Sequence, residues 1–462
     1  MSTERGAALS PLDGRYRHLV EELAEAFSEA ALNRARVHVE VEWIVALTAH
    51  RVAGTNPLDP TTVQTLRKRV SEFGPHDVAT LAALEATTQH DVKAVEYFVR
   101  QILTDLGLSH LHELAHFGCT SEDINNLSYA LLLRDSVQGV WLTDAIALRD
   151  TLVTLARAWR DLPMLSRTHG QPATPTTMGK EIAVFAHRLT RTLERIRSLR
   201  LPGKINGATG TFSAHVVAAP DTDWPALSRS FVEGLGLEWN PLTTQIESHD
   251  GTVELLEAVA HTGRILHNLA TDIWTYISLG YLRQIPQAGT TGSSTMPHKI
   301  NPIRFENAEA NLEISGALCG VLAQTLSTTR LQRDLTDSSS QRNIGLAIGH
   351  SLVAIKNITR GLSEVAIDEE RLRDDLDTNW EVLGEAIQTV IRAEIISGNS
   401  SLTDPYDVVK KLTRGERVTA SRLHEFIQEL DISDTSKARL LALRPHDYVG
   451  LASELVEHLT TD

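Results

Sequence analysis

The sequence contains few cysteines, few aromatic residues and no long apolar run. Cys119 and Cys319 are its only cysteines, so a disulfide framework is excluded and a reducing cytoplasm is the expected compartment. The first residues carry no apolar segment typical of a secretion signal, and no stretch approaches the length of a membrane span. With 462 residues of ordinary apolar content, the chain is expected to form two or three globular domains.

Positive charge is also scarce, because the formal net charge is −15. Such a chain is expected to repel nucleic acid and anionic membranes. Binding of an anionic small molecule would therefore need a local concentration of basic side chains, and Arg15, Lys299, Arg333 and Arg342 lie within polar segments suited to it. No glycine-rich phosphate loop follows a predicted strand, so side chains are expected to hold any phosphate.

The nineteen histidines raise the question of a metal site. His112 and His116 are four residues apart and straddle Glu113, but the rest of the zinc-protease pattern is missing. We interpret both as helix-surface histidines, and we predict neither a metal nor a cofactor.

Apolar residues recur at helical spacing along most of the chain, whereas alternating strand patterns are hard to find. Four stripes predict long helices with coiled-coil-like packing, and they run Trp141–Trp159, Leu255–Tyr276, Leu312–Leu326 and Ile348–Leu362. The predicted fold is all-α, with three helical domains at residues 1–110, 111–365 and 366–462. The central domain is a long helix bundle that polar loops interrupt at 163–179, 202–213, 238–250 and 286–303.

One of these loops contains the most informative segment, Gly-Ser-Ser-Thr-Met-Pro-His-Lys-Ile-Asn-Pro at residues 292–302. Its glycine and two prolines exclude regular structure. Its hydroxyls, ammonium group and amide suit the binding of a small anion. We therefore predict a functional loop rather than a polar surface connection.

This segment resembles the signature of the fumarase/aspartase superfamily, and His298 favours the adenylosuccinate lyase branch. Five further motifs carry the same resemblance, at Ser10–Tyr16, Thr88–Lys93, Cys119–Asn126, Leu165–Pro172 and Gln332–Ser338. The resemblance extends from about residue 10 to the C-terminus and is closest to the longer bacterial form.

The resemblance implies release of fumarate from adenylosuccinate, giving AMP, and from the succinyl-carboxamide ribotide SAICAR, giving AICAR, in purine synthesis. Such a β-elimination needs a base for a Cβ proton, an acid for the leaving nitrogen and fixed donors for a doubly charged intermediate. An argininosuccinate lyase or a carboxymuconate cycloisomerase is an alternative within the superfamily. A phosphorylated substrate is favoured instead, because only such a substrate needs all of Arg15, Arg333, Ser338 and Arg342.

The resemblance also implies the catalytic roles. His169 is the acid, Glu306 is the carboxylate that orients it, and Ser293 is the base. From the residues alone, Ser294 and His90 remain open as bases, because a neutral serine is weakly basic unless its alkoxide is stabilised. An inactive helical scaffold would have no reason to keep Lys299 together with His169, Ser293 and Glu306.

The remaining implied site residues bind substrate. His90 is placed against the anionic groups of the substrate, although Thr88 or Asp91 could instead cap the helix that follows. The implied substrate contacts are Arg15, Tyr16, Gln89, Asp91, Thr120, Ser121, Gln245, Ser294, Lys299, Asn301, Asn307, Arg333, Ser338 and Arg342.

These motifs are distributed over loops that straight helices would hold far apart, which favours an assembly in which subunits share active sites. The resemblance implies a homotetramer with each site built from three chains. From the net charge we expect no nucleic-acid or membrane partner. The chain departs from the family pattern at Gly118, where alanine is expected, and at Leu331, where an aromatic residue is usual. We interpret both as packing changes beside the site.

Overall fold

The computed structural model describes residues 8–286, 296, 299–413 and 418–459. Within them the chain is mostly helical with a few short strands, which confirms the all-α prediction. Two compact units share the chain. Unit 1 comprises Met1–Ala145, Thr192–Arg264 and Ala308–Lys356, and unit 2 comprises Ile146–Arg191, Ile265–Asn307 and Asn357–Asp462. The domain boundaries at 110 and 365 stay a prediction.

The described residues form helices of very different lengths. The α-helices are α1 Arg17–Phe27, α2 Glu29–Ala49, α3 Pro60–Ser71, α4 Pro75–Thr88, α5 Asp91–Asp105, α6 Ser121–Ser136, α7 Leu142–Ala158, α8 Met178–Ser198, α9 Ser213–Ala218, α10 Trp224–Gly234, α11 Asp250–Leu279, α12 Ile303–Leu326, α13 Thr336–Gln341, α14 Ile344–Ser363, α15 Glu369–Asp377, α16 Gly384–Ile396, α17 Pro405–Thr413, α18 Ala420–Glu429, α19 Asp434–Ala442 and α20 Ala452–Leu455. None of the helices in this part of the chain is long and apolar enough to cross a membrane.

The predicted apolar stripes fall on the long helices. Three of them lie within α11, α12 and α14, and the stripe from Trp141 to Trp159 follows a π-helical turn, Val137–Trp141, into α7. With 30 residues, α11 is about 45 Å long.

The loop at 163–179 was predicted without strands, and that prediction is wrong. The strands are β1 Pro163–Thr168, β2 Gln171–Thr177, β3 Pro202–Gly203, β4 Glu238–Trp239, β5 Leu282–Gln284 and β6 Val365–Ile367. β1 and β2 form an antiparallel hairpin, β3 pairs with β4 in parallel, and β5 pairs with β6 antiparallel.

In unit 1, α2 packs against α5 and α6. The Ser28 hydroxyl begins α2 by accepting the Ala31 N–H at 3.2 Å. Trp43 of α2 is fully buried, meets Phe231 edge-on at 5.0 Å and donates its indole N–H to the Phe117 carbonyl at 3.0 Å. This packing holds the two polar turns that precede α5 and α6.

In unit 2, the short strands lie beside a separate C-terminal cluster. Arg167 of β1 forms an ion pair with Asp375 of α15 at 2.6 Å. Buried side chains of α16–α19, including Ile387, Ile391 and Ile427, form one hydrophobic core.

Candidate active site

The turn before α5 carries Gln89, His90 and Asp91. Gln89 has a left-handed backbone with φ +51°, and its side-chain amide donates to the Ala86 carbonyl at 2.8 Å. His90 is the N-cap of α5, because its Nδ1 accepts the Lys93 N–H at 3.1 Å. The alternative in which Thr88 or Asp91 is the N-cap is therefore wrong. The cap uses Nδ1, and the His90 side chain is about half exposed.

The Asp91 carboxylate lies between two guanidinium groups. Its Oδ2 accepts Arg36 Nη2 at 2.8 Å and Arg342 Nη2 at 3.3 Å, and its Oδ1 accepts the Val92 N–H at 2.8 Å. Burial alone would raise the pKa of Asp91, but the charge of Arg36, the Val92 N–H and the charge of Arg342 lower it below its usual value. Asp91 is thus an ionised group that positions arginines.

The turn before α6 carries Thr120 and Ser121, and a buried charge pair fixes it. The carboxylate of Asp123 accepts the Thr120 N–H at 2.8 Å, the Asn206 N–H at 2.9 Å and the Gly207 N–H at 3.0 Å. The ammonium group of Lys204 lies 3.0 Å from the same carboxylate, and both side chains are fully buried. The arrangement ties the Thr120 turn to the loop after β3.

The same loop also holds Gln245. Its side-chain amide donates to the Ala208 carbonyl at 3.2 Å, and the Asn206 amide donates to the Thr243 hydroxyl at 2.8 Å. The two predicted substrate contacts, Thr120 and Gln245, are therefore supported from one short segment, residues 204–208. The side-chain oxygen of Gln245 remains directed at Arg333, 3.4 Å from its Nη1.

Gly118 occupies the position where the family pattern predicts alanine. Its φ is +73°, and a Cβ at this position would collide with the ring of His215. Glycine is therefore required by backbone conformation and by packing. His215 is fully buried and both ring nitrogens lack hydrogen-bond partners among the described residues, and burial lowers its pKa.

Arg333 is held by carboxylates. Its Nη2 lies 2.9 Å from Glu122 Oε1 and 3.6 Å from Asp337 Oδ1. Burial raises the pKa of Glu122, although the charge of Arg333 and the amide of Asn125 oppose this effect. The guanidinium is only partly exposed, so its orientation is set before any ligand binds.

Ser338 and Arg342 share a helix face, as their spacing predicts. Arg342 follows α13 directly and donates through Nη1 to the Ser338 hydroxyl at 3.2 Å and to the Ser338 carbonyl at 3.1 Å. Its side chain is 41% exposed, so part of the guanidinium faces solvent. A serine hydroxyl beside an arginine fork suits phosphate oxygens.

Arg15 and Tyr16 lie in the turn that leads into α1, as predicted. Tyr16 is the N-cap residue of α1, and its main-chain N–H donates to the Pro11 carbonyl at 2.8 Å. Arg15 is exposed. The role of both residues at the phosphate stays a prediction.

In unit 2, His169 occupies the tip of the β1–β2 hairpin. Thr168 and Gln171 pair across the turn, and the two residues between them, His169 and Gly170, have φ +54° and +75°. Positive φ at both positions is the geometry of a type I′ turn. The His169 side chain is exposed at this tip, and its role as the acid stays a prediction.

Glu306 lies in the first turn of α12, where a negative charge stabilises the helix. Its Oε1 accepts the indole N–H of Trp274 at 3.1 Å. Among the described residues no hydrogen bond joins Glu306 to His169, so the orienting role of Glu306 stays a prediction.

The other predicted residues of unit 2 lie just before and within α12. The Asn307 side-chain oxygen accepts the Asn357 amide at 3.0 Å. Lys299 is exposed and its main-chain N–H donates to the Met296 carbonyl at 2.9 Å, while Asn301 is partly exposed. Ser293 and Ser294 lie outside the described residues.

Two functional candidates were missed from the sequence, Arg36 and the pair of Glu40 with His116. His116 was predicted to lie on a helix surface, and that prediction is wrong. Its φ is +58°, and both its N–H and its Nδ1 contact the buried Glu40 carboxylate, at 2.9 and 2.6 Å. One sequence feature could have revealed them. Arg36 and Glu40 are charged residues four positions apart in α2, a helix that is otherwise mostly apolar.

Comparisons with known proteins cover nearly the whole chain. A family model described as Lyase matches residues 14–316, and one described as Adenylosuccinate lyase C-terminal matches residues 329–449. The chain is 45% identical over 454 residues to an adenylosuccinate lyase of Escherichia coli, with 98% of each chain covered. It is equally identical, 45% over 457 residues and with the same coverage, to an adenylosuccinate lyase of Haemophilus influenzae.

Solved structures show the same fold. A fumarate lyase from a Mesorhizobium species superposes with a TM-score of 0.74, at 19% identity, over 95% of this chain and 96% of that chain.

Proposed function

Because the chain belongs to the adenylosuccinate lyase family, we propose that it cleaves adenylosuccinate to AMP and fumarate. The observation that carries the proposal is the 45% identity over 98% of the chain. The same chemistry extends to SAICAR, whose succinyl-amino group and ribose phosphate match those of adenylosuccinate. This carbon–nitrogen lyase reaction belongs to purine biosynthesis, and we place it in the cytoplasm.

The reaction removes a proton and an amine from adjacent carbons. Ser293 takes the proton from Cβ as its alkoxide, and the electron pair forms the double bond of fumarate as the C–N bond breaks. His169 supplies a proton to the departing purine nitrogen, and Glu306 holds the imidazole in the donating orientation. Lys299 and Asn301 stabilise the doubly charged carboxylate that forms before the C–N bond breaks.

The nucleotide end is bound by unit 1. Arg333 and Arg342 are both fixed by carboxylates, and Ser338 lies beside Arg342. Each retains donors for phosphate oxygens, and Arg15 with Tyr16 adds a contact from the N-terminal turn. Gln89, His90, Asp91, Thr120, Ser121, Gln245, Ser294 and Asn307 complete the predicted substrate contacts.

We assign the chain to a homotetramer with active sites shared by three chains. His169 is exposed at the tip of a hairpin, which leaves room for groups of another chain to lie against it. The helix α12 is apolar on more than one side, because Ile314 and Val321 are 45% and 61% exposed. Exposed apolar groups on a long helix are typical of a subunit interface.

The proposed substrate class is tested by comparing kcat/KM for three succinyl compounds. We expect cleavage of adenylosuccinate, a decrease of about 100-fold or more when its 5′-phosphate is removed, since each charge-assisted hydrogen bond contributes about 1.5–3 kcal/mol, and no cleavage of argininosuccinate. Equal kcat/KM values with and without the phosphate, or efficient cleavage of argininosuccinate, would contradict the proposal.

A further inference from the structure

Arg36 is a buried charge that none of the predicted motifs includes. It lies in the middle of α2 in unit 1, and only 1% of its surface is exposed. A guanidinium cannot release its proton in a protein, so its burial is tolerated only when hydrogen bonds and a counter-ion compensate. The location of those partners therefore shows what the charge does.

The three partners of Arg36 come from three helices. Nη2 donates to Asp91 of α5 at 2.8 Å, Nε donates to Asn125 of α6 at 2.9 Å, and Nη1 donates to Asn33 of α2 itself at 3.1 Å. The first two partners each lead toward an arginine that is predicted to bind phosphate.

On one side the connection is direct. The Asp91 oxygen that accepts Arg36 also accepts Arg342, at 3.3 Å. On the other side it passes through an amide. The Asn125 oxygen accepts Arg36, and the Asn125 nitrogen donates at 2.8 Å to the Glu122 oxygen that accepts Arg333 at 2.9 Å.

Asn125 is suited to this position because an amide accepts at one end and donates at the other. A carboxylate there would face Glu122 with a like charge, and an apolar side chain would leave Arg36 and Glu122 each without one partner. The six side chains Arg36, Asp91, Glu122, Asn125, Arg333 and Arg342 form one continuous chain of hydrogen bonds, which we call the Arg36 network.

We propose that Arg36 is a positioning residue that sets the separation and orientation of Arg333 and Arg342 for the phosphate of the substrate. This inference rests on the proposed nucleotide substrate. The two arginines are nine positions apart on a segment with only one short helix, α13. Their spacing is fixed because each is anchored to the helix core and both anchors meet at Arg36.

The test measures the dissociation constants of AMP and adenosine by calorimetry. Their ratio reports the contribution of the phosphate alone. In wild type we expect AMP to bind more tightly than adenosine. In Arg36→Met we expect the ratio of the adenosine dissociation constant to the AMP dissociation constant to decrease about tenfold, which corresponds to the loss of one charge-assisted hydrogen bond to the phosphate. The dissociation constant of adenosine should change little. The KM for adenylosuccinate should increase more than kcat decreases.

Two further variants separate positioning from general destabilisation. Asn125→Leu interrupts the network at a neutral residue, and we expect the same change in the ratio. Arg149→Met removes another buried arginine, 5% exposed and paired with Asp150 at 2.6 Å outside the network. We expect this control to lower the melting temperature and to leave the AMP-to-adenosine ratio unchanged.

The outcomes distinguish this inference from the function on which it rests. Wild-type protein that binds AMP and adenosine equally would contradict the nucleotide substrate itself. Wild-type protein with a strong AMP preference, together with an unaltered preference in Asn125→Leu and in any folded Arg36→Met, would overturn the positioning role alone. If Arg36→Met does not fold, Asn125→Leu decides the question.

Discussion

At the scale of single residues, buried charges hold the polar turns in place. Glu40 in α2 is fully buried and accepts two hydrogen bonds from His116 in the segment that leads to the Thr120 turn. Burial alone would lower the pKa of His116, but the hydrogen bond and charge of Glu40, with smaller effects of Glu96 and Asp123, raise it above its usual 6.5. The charged imidazole is therefore favoured by folding.

This shift predicts a pH-dependent stability. Because the folded pKa of His116 is raised, its contribution is complete below about pH 6.5 and is lost as pH rises through the folded pKa. We expect Glu40→Gln to lower the free energy of unfolding by about 2 kcal/mol near pH 6 and by less near pH 9. Urea titrations at both pH values measure the difference.

The matched control for this experiment is Glu72→Gln, which removes an exposed ion pair with Lys68. We expect that change to stay within about 0.5 kcal/mol at both pH values. An equal loss of stability in Glu40→Gln at pH 6 and pH 9 would exclude a charged His116 in the folded protein.

The sequence did not reveal these residue-scale contacts, for a physical reason. Charges four positions apart on a helix, such as Arg36 and Glu40, ordinarily lie at its surface. Their burial depends on which neighbours cover α2, and those neighbours include α5 and α6, more than 50 positions later in the chain. The polar motifs themselves were recognisable because their residues are close together in sequence.

At the scale of elements, the hairpin β1–β2 presents His169. Three prolines and few apolar residues weaken its strand pattern, whereas the long helices have many apolar positions at regular spacing. The helices were therefore predicted and the hairpin was not. The turn has positive φ at both central positions, for which asparagine followed by glycine is the preferred sequence.

The turn geometry provides a substitution that removes the proton donor without disturbing the fold. Asparagine tolerates positive φ better than histidine, so His169→Asn should leave the melting temperature unchanged or slightly higher. Because the amide cannot supply the proton, we expect kcat to decrease roughly 10²- to 10⁴-fold. Steady-state kinetics and thermal melts of the purified variant measure both quantities.

Exposed His76 in the first turn of α4 is the control for this prediction, because His76→Asn changes a surface histidine with no predicted role. Its kcat should equal that of wild type. Full activity in His169→Asn would show that another group protonates the leaving nitrogen.

At the scale of the whole molecule, the proposed active sites form between chains. The predicted acid and the predicted base, His169 and Ser293, belong to different loops, and the resemblance assigns each active site to three subunits. Subunit exchange between two inactive variants tests this arrangement without any assumption about mechanism.

We expect His169→Ala and Ser293→Ala to be inactive alone and active after mixing under conditions that exchange subunits. If the two residues of one site come from different chains, random exchange leaves about a quarter of the sites intact. Recovery should therefore approach that fraction of wild-type activity. Absence of any recovery, with exchange verified by differently tagged subunits, would argue against shared sites.

Product analysis of wild-type protein incubated with adenylosuccinate tests the proposed activity most directly. We expect the purine absorbance to change as the amine is released, and AMP and fumarate to appear in equal amounts. Unchanged adenylosuccinate after incubation with folded, fully assembled protein would exclude the proposed reaction.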